Sequence, residues 1–555
     1  MIFPAVQKIK YGDKIPLENI SAVSVNGVQP DTLAVFSRFF GTEICDGAPV
    51  RINAELRDTR GFCYVDEFLR LSDEKYVLHI TKTDTGADIS IVSGGKRGIF
   101  RGLCTVGKML AEGLRECDVT DYPCFETRGY IEGFYGKPWS FSQREDMLLL
   151  MAANHMNTYY YAPKDDEYHR RKWREPYPEA QLEGLRALID TARSAYIDFH
   201  YCIAPGLSMK YCSDEDFDAL MKKTVQLYNA GVRGFGLLLD DIPEKLFFPE
   251  DEARFSETVN AHIYIVNKYY AALKSLDSTI SLTVCPMQYH GKGNEYYISK
   301  FGRGISGDVS VFWTGRDICS RELTSPETII FTHDTRFKPR FWDNYPVNDA
   351  EMFNEMHLGP LIGRDADLYR FSDGLISNCM EYFECSKIPL LTVADYLWNS
   401  SAYSPGDSWK NALKTVVGAD DADTFAYFAD HLFTSCLKDG NSRIMNSVFS
   451  KASAHMNNGD LAGVFAALTG YADSMNECRE LLKKDTPLFG ELKKWSEKFS
   501  VCVDIINCLF EVIGSKDAEQ REKLSLLIEK YNSHPAALTN FCLQEAVNLI
   551  LDTGD

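Results

Sequence analysis

The chain has 555 residues, of which 45% are apolar and 25% charged, the composition of an ordinary globular protein and long enough for several domains. Its formal net charge of −20 argues against a nucleic-acid partner, which needs clustered Lys and Arg, and against an anionic membrane surface. The 16 cysteines include no CxxC pair and sit singly, many inside apolar runs, so they read as free thiols rather than a disulfide framework or a zinc site.

The opening stretch, "MIFPAVQKIKYGDK", has no basic segment leading into a long apolar run, so no signal peptide is expected. No window approaches about 18 apolar residues, so no transmembrane helix is expected either. Both readings favour a reducing cytoplasm. A chain whose leader had been removed would read the same, so secretion stays open.

Residues 1–123 mix strand-like runs ("NISAVSVNG", "KYVLHITKT", "ADISIVSG") with the helical patterns "TLAVFSRFFGTEI" and "GIFRGLCTVGKMLAEG". They read as a small N-terminal α/β domain, closed by "DVTDYPCFETRG" as a loop. From 124 to 404 a rhythm sets in. Eight short apolar or aromatic runs, "RGYIEGF", "NTYYYAP", "DFHYCIAP", "GFGLLLDD", "ISLTVCP", "DVSVFWTG", "PRFWDN" and "GLISNCM", alternate with helical patterns such as "SQREDMLLLMAANH" and "AQLEGLRALIDTARSAY". Near-continuous apolar strands alternating with helices imply parallel strands buried on both faces. Eight such units predict a TIM (β/α)8 barrel. The competing open doubly wound sheet often carries a GxGxxG phosphate loop, and none is present. Residues 405–555 show helical periodicity throughout and read as an all-α C-terminal domain, long enough to offer a homodimer face.

In a TIM barrel the chemistry stands at the C-terminal strand ends. Those ends read Gly133, Lys164, Pro205-Gly206, Asp240-Asp241, Tyr289, Thr314, Trp342-Asp343-Asn344 and Asn378. One Asp or Asn alone would pass as a turn former or helix cap. Two adjacent acids after a run of leucines are costly unless something satisfies or uses them. Two carboxylates in different environments can supply one acid and one base, which suits glycoside hydrolysis. Tyr135, Trp139, Tyr161, Tyr289, Trp313 and Trp342 place rings at or near strand ends, where sugar C–H faces could pack. No HExxH is present, and the histidines of "HMNTYYYAPKDDEYH" are too far apart for a local metal pair. No metal and no cofactor are expected. "GKRG" and "GKGN" lack the Walker spacing and read as turns.

"RGYIEGFYGKPWS", "NTYYYAPKDDEYHRRKWREPY", "FGLLLDDI", "WTG", "WDNYPVND" and "LGPLIGR", in this order, resemble glycoside hydrolase family 84, which comprises the O-GlcNAcases and related bacterial β-N-acetylglucosaminidases. The resemblance covers the predicted barrel, about half the chain, and the family's layout of α/β domain, barrel and helical domain matches by pattern. It implies a retaining, substrate-assisted mechanism in which the 2-acetamido oxygen of the substrate attacks the anomeric carbon and forms an oxazoline. Asp240 matches the acid that orients the acetamido group, and Asp241 the general acid/base. Gly133, Lys164 and Asp349 match contacts to the sugar hydroxyls. Asn344 matches an amide supporting the acids, and Asn378 a further sugar-binding amide. Tyr289 matches a phenol bonded to the acetamide, while Cys285, Thr314 and Trp342 would wall the N-acetyl pocket. "CPMQYHGKGN" and "SNCME" depart locally from the family's form around Tyr289 and Asn378. The expected partner is a GlcNAc-bearing glycan or an O-GlcNAc-modified peptide. Two other readings remain: a hyaluronidase-type or other hexosaminidase, which a basic groove would favour, and a non-catalytic glycan-binding scaffold, which loss of either aspartate would favour.

Overall fold

The computed structural model describes residues 2–17, 20–57, 73–437, 442–515, 518–538, 543 and 547–548. They form two compact units. The first comprises 1–344, 364–378 and 393–403; the second comprises 345–363, 379–392 and 404–555.

The first unit opens with seven strands: β1 (Lys8–Lys14), β2 (Ala22–Asn26), β3 (Glu43–Ile44), β4 (Val50–Leu56), β5 (Tyr76–Lys82), β6 (Ala87–Ser93) and β7 (Arg115–Asp121). They make one mixed sheet in the order β1-β7-β5-β6-β4-β2-β3. Two local readings change. The helix Pro30–Phe40 stops before "EI", because Gly41 turns left-handed at φ 63° and its N–H caps the Ser37 carbonyl, leaving Glu43–Ile44 to join the sheet. "DVTD", read as loop, is the end of β7, whose alternating burial pairs it with β5.

The eight predicted runs are eight parallel strands: β8 (Arg128–Glu132), β9 (Thr158–Tyr161), β10 (Asp198–Ile203), β11 (Gly234–Leu238), β12 (Ser281–Cys285), β13 (Val309–Trp313), β14 (Pro339–Asp343) and β15 (Gly374–Asn378). They close into a barrel in chain order, β15 pairing with β8. Each strand contributes one side chain to a common interior cluster: Ile131, Tyr160, Cys202, Leu238, Cys285, Phe312, Trp342 and Ile376. Burying each of the larger ones is worth about 1.5–3 kcal/mol. Alternate residues face the helices. Trp313 thus packs on Phe331, with ring centroids 4.8 Å apart, in the helix Ser325–Thr335. The helix after β8, Phe141–Ala153, starts at a capping box: Ser140 Oγ accepts from Gln143 N, and Gln143 Oε1 accepts from Ser140 N.

The second unit is helical, with Pro405–Val417, Ala419–Ala429, Arg443–Asn457, Leu461–Leu481, Pro487–Glu491, Lys493–Ser515 and Ala518–Ser533 among its elements. Side chains of Ser442, Asp460 and Thr486 cap three of these helices. Nine of the fourteen described cysteines are buried. Among the described residues no helix is long and apolar enough to cross a membrane.

Candidate active site

Adjacent residues of an extended strand point to opposite faces, so two neighbouring aspartates would not normally share a pocket. Here β11 ends at Leu238, and Asp241 takes a left-handed φ of 54°. Asp tolerates this region better than most residues. The turn brings both carboxylates to one ammonium: Lys164 Nζ lies 2.6 Å from Asp240 Oδ2 and 3.6 Å from Asp241 Oδ2.

The two acids then diverge in environment. Asp240 is buried, and among the described residues its Oδ1 has no hydrogen-bond partner, although its Oδ2 is held by Lys164. Asp241 is more exposed and ringed by donors. Tyr135 Oη donates to its Oδ2 at 2.7 Å and Tyr289 Oη to its Oδ1 at 3.2 Å. Burial pushes the Asp241 carboxyl up. The Lys164 charge, the two phenols and Arg170 outweigh it and hold the group below the usual carboxylate range. Lys164 is itself held above the usual ammonium range: burial works against this, and the charges of Asp240 and Asp241 prevail.

A chain of amides forms the adjoining wall. Asn378 Nδ2 and Trp342 Nε1 both donate to Asn344 Oδ1 at 2.9 Å, and Asn344 Nδ2 donates to the Ile318 carbonyl at 2.8 Å. Asn378 Oδ1 accepts from Gly133 N at 3.1 Å. A Cβ at position 133 would stand 2.5 Å from Trp342 Cζ2, so only glycine lets the indole lie this close to β8. Cys285 and Trp342 are buried together in the barrel cluster, with Tyr289 packed against it. The hydroxyl of Thr314 is turned to backbone, donating to the carbonyls of Asp317 at 2.7 Å and Tyr289 at 3.3 Å, while its N–H also holds Tyr289 O. Thr314 therefore fastens the Tyr289 loop.

Ten of the eleven predicted site residues belong to the first unit. Asp349 belongs to the second, where it is half-buried and its carbonyl accepts Met352 N at 3.0 Å at the start of a short 3-10 turn. Three of the rings named from sequence serve packing. Trp139 is buried on Phe134, Trp313 lies under a helix, and Tyr161 Oη donates to Asp166. Two other strand-end acids are structural. Glu132 takes both arms of Arg144 at 2.7 Å, and Asp343 those of Arg364 at 2.8 and 2.6 Å. Sequence reasoning missed Arg170, and named Tyr135 only as one ring among several. No periodicity marks a loop arginine.

A profile of the beta-N-acetylglucosaminidase family matches residues 128–430, more than half the chain. The chain belongs to this family, glycoside hydrolase family 84. Its glycoside hydrolase relatives include the protein O-GlcNAcases of Rattus norvegicus and Mus musculus, each 32% identical over 274 residues, 48% of this chain and 29% of theirs. The chain thus spans under a third of the length of these curated relatives. A mutant O-GlcNAc hydrolase of Thermobaculum terrenum is 32% identical, covering 77% of this chain and 95% of that one, with a TM-score of 0.73. The family 84 structure CpGH84B is 26% identical over 99% of this chain and 100% of its own, with a TM-score of 0.84. CpGH84D, at 21% identity and a TM-score of 0.82 over 100% of this chain and 99% of its own, shares the fold.

Proposed function

We propose that this chain is a retaining exo-β-N-acetylglucosaminidase that removes terminal β-linked GlcNAc, including GlcNAc on protein hydroxyls, by substrate-assisted catalysis. The observation that carries the reading is the asymmetry of Asp240. One oxygen is fixed on Lys164; the other is buried, and none of the described residues donates to it. An unsatisfied buried acceptor is costly, and a substrate N–H is the group that would satisfy it. The acetamido N–H placed on Oδ1 turns the acetamido oxygen towards the anomeric carbon.

The first step then balances within the substrate and Asp241. The acetamido oxygen forms its bond to C1 as the glycosidic bond breaks, and the leaving oxygen takes the Asp241 proton. Ionised Asp240 stabilises the positive charge that grows on the acetamide. In the second step Asp241 takes a proton from water, whose oxygen attacks C1 and reopens the ring. Two inversions at C1 give net retention. Tyr289 Oη donates its one proton to Asp241, so its expected contact with the acetamido oxygen would need that proton turned to the substrate.

The test is hydrolysis of aryl β-N-acetylglucosaminides carrying zero to three fluorines on the acetyl group. Fluorine weakens the acetamido oxygen as a nucleophile. A steep fall of rate with fluorine number is expected. A flat series with good turnover would mean an enzymic nucleophile and overturn the mechanism.

A further inference from the structure

Arg170 stands behind one of the donors to Asp241. It lies half-buried in the loop that follows β9 and carries Lys164. Its Nη1 donates to Tyr135 Oη at 2.8 Å, and its Nη2 reaches the Asp241 carbonyl oxygen at 3.3 Å. A guanidinium has donors and no acceptor. The phenol oxygen must therefore accept from Arg170, and the one phenol proton is left for Asp241 Oδ2 at 2.7 Å. The same arginine braces the carbonyl of the residue whose left-handed backbone turns the carboxylate into the site.

We propose that Arg170 is a positioning residue for the acid/base: it commits the Tyr135 hydroxyl proton to Asp241 and so holds that carboxylate as the proton acceptor of the second half-reaction. The role rests on the reading of Asp241 as acid/base. It reaches beyond the residues that the strand ends supply, since Arg170 touches Asp241 and Tyr135 and acts through them.

The groups that face Asp241 are Lys164 and Arg170 from the loop after β9, Tyr135 from the end of β8, Tyr289 from the loop after β12, neighbouring Asp240, and the buried Cys285 thiol. Burial favours the protonated carboxyl, and Lys164, Tyr135, Tyr289 and Arg170 favour the ionised one. Taking away Arg170 removes a charge and releases the phenol proton to turn elsewhere. Asp241 then gains its proton at higher pH. Cleavage needs protonated Asp241, so kcat/KM falls as pH rises through that value, and the alkaline limb should move up. The cluster is partly open to solvent, so a shift of roughly half a unit is expected.

The experiment is the pH profile of kcat/KM on an aryl β-N-acetylglucosaminide for wild type, Arg170→Met, Arg170→Lys, Tyr135→Phe and the double variant Arg170→Met/Tyr135→Phe. The alkaline limb should rise in Arg170→Met and in Tyr135→Phe, rise less in the double variant than the sum of the two, and return part-way in Arg170→Lys. Lower activity with an unmoved limb in both single variants would overturn the proposal and leave the proposed reaction standing. Absence of turnover in wild type would count against the reaction. The positioning is then read by NMR titration of protein labelled with 13C at Asp Cγ, with the Asp241 signal assigned by its loss in Asp241→Asn. A higher midpoint in Arg170→Met upholds the clamp, and an unchanged midpoint overturns it.

Discussion

At the residue scale, the two aspartates differ in what surrounds them and so in what they can do. Asp240 is buried and held by Lys164, whereas Asp241 is exposed and bonded by two phenols. The left-handed φ of 54° at Asp241 brings them to one ammonium; what sets them apart is burial and hydrogen-bond partners. If Asp241 delivers the proton, Asp241→Asn should lose roughly 10²–10⁴-fold in kcat/KM on substrates with poorly activated leaving groups. On aryl glycosides whose leaving group departs without a proton, the loss should be several-fold at most in the first step. A leaving-group series compared between wild type and variant measures this as a change of slope. Equal losses across the series would remove Asp241 from the acid role.

At the element scale, the strands were legible and the loops were not. Each of the eight apolar runs became a barrel strand, because a parallel strand covered on both faces must be apolar along its length, and that pattern survives in the sequence. Asp240, Asp241, Gly133 and Asn378 follow from strand position alone. Arg170 does not, since its place depends on how a loop folds back over β8 and β11. Trp313 and Tyr161 show the converse: ring and strand end were right, but the side-chain parity faces the helices. The helix Asp214–Asn229 bears on the same loop. Its buried Lys223 donates to the Tyr168 carbonyl at 2.5 Å and the Lys172 carbonyl at 3.3 Å, on either side of Arg170. Lys223→Met keeps the apolar stem and removes the donor. The loop that presents Lys164 should loosen, and a misplacement near 1 Å can cost about 10²-fold in rate. The expected result is a fall of about tenfold or more in kcat/KM with faster proteolytic nicking between 163 and 177. Unchanged kinetics would show that the loop's other ties, such as Arg174 to Asp216 at 2.6 Å and Trp173 to Ser208 at 3.0 Å, hold it without Lys223.

At the scale of the whole molecule, the N-terminal sheet and the barrel share one compact unit, and a buried charge cluster joins them. Glu74, just before β5, bonds Arg101 at 3.0 Å and also pairs with Arg128, the first residue of β8. All three side chains are almost wholly buried. Burial alone would push the Glu74 carboxyl up, but the charges of Arg128 and Arg101 outweigh it and hold the group down at about 2. Charges so placed are weak evidence of net stabilisation, because desolvation offsets attraction; removing one partner is another matter, since it strands the others. Glu74→Gln removes the carboxylate that two buried guanidiniums share and should destabilise the first unit by about 3–5 kcal/mol in urea unfolding at neutral pH. The pH dependence gives an independent reading. A carboxyl whose folded value lies below its unfolded one adds stability that is present above the unfolded value near 4.5 and lost as pH falls towards 2. Wild type should therefore lose unfolding free energy across that acid window, and Glu74→Gln should lose distinctly less there. A loss under about 1 kcal/mol at neutral pH, with an unchanged acid slope, would mean that apolar packing around Tyr76 and Trp398 joins sheet to barrel without help from the charges.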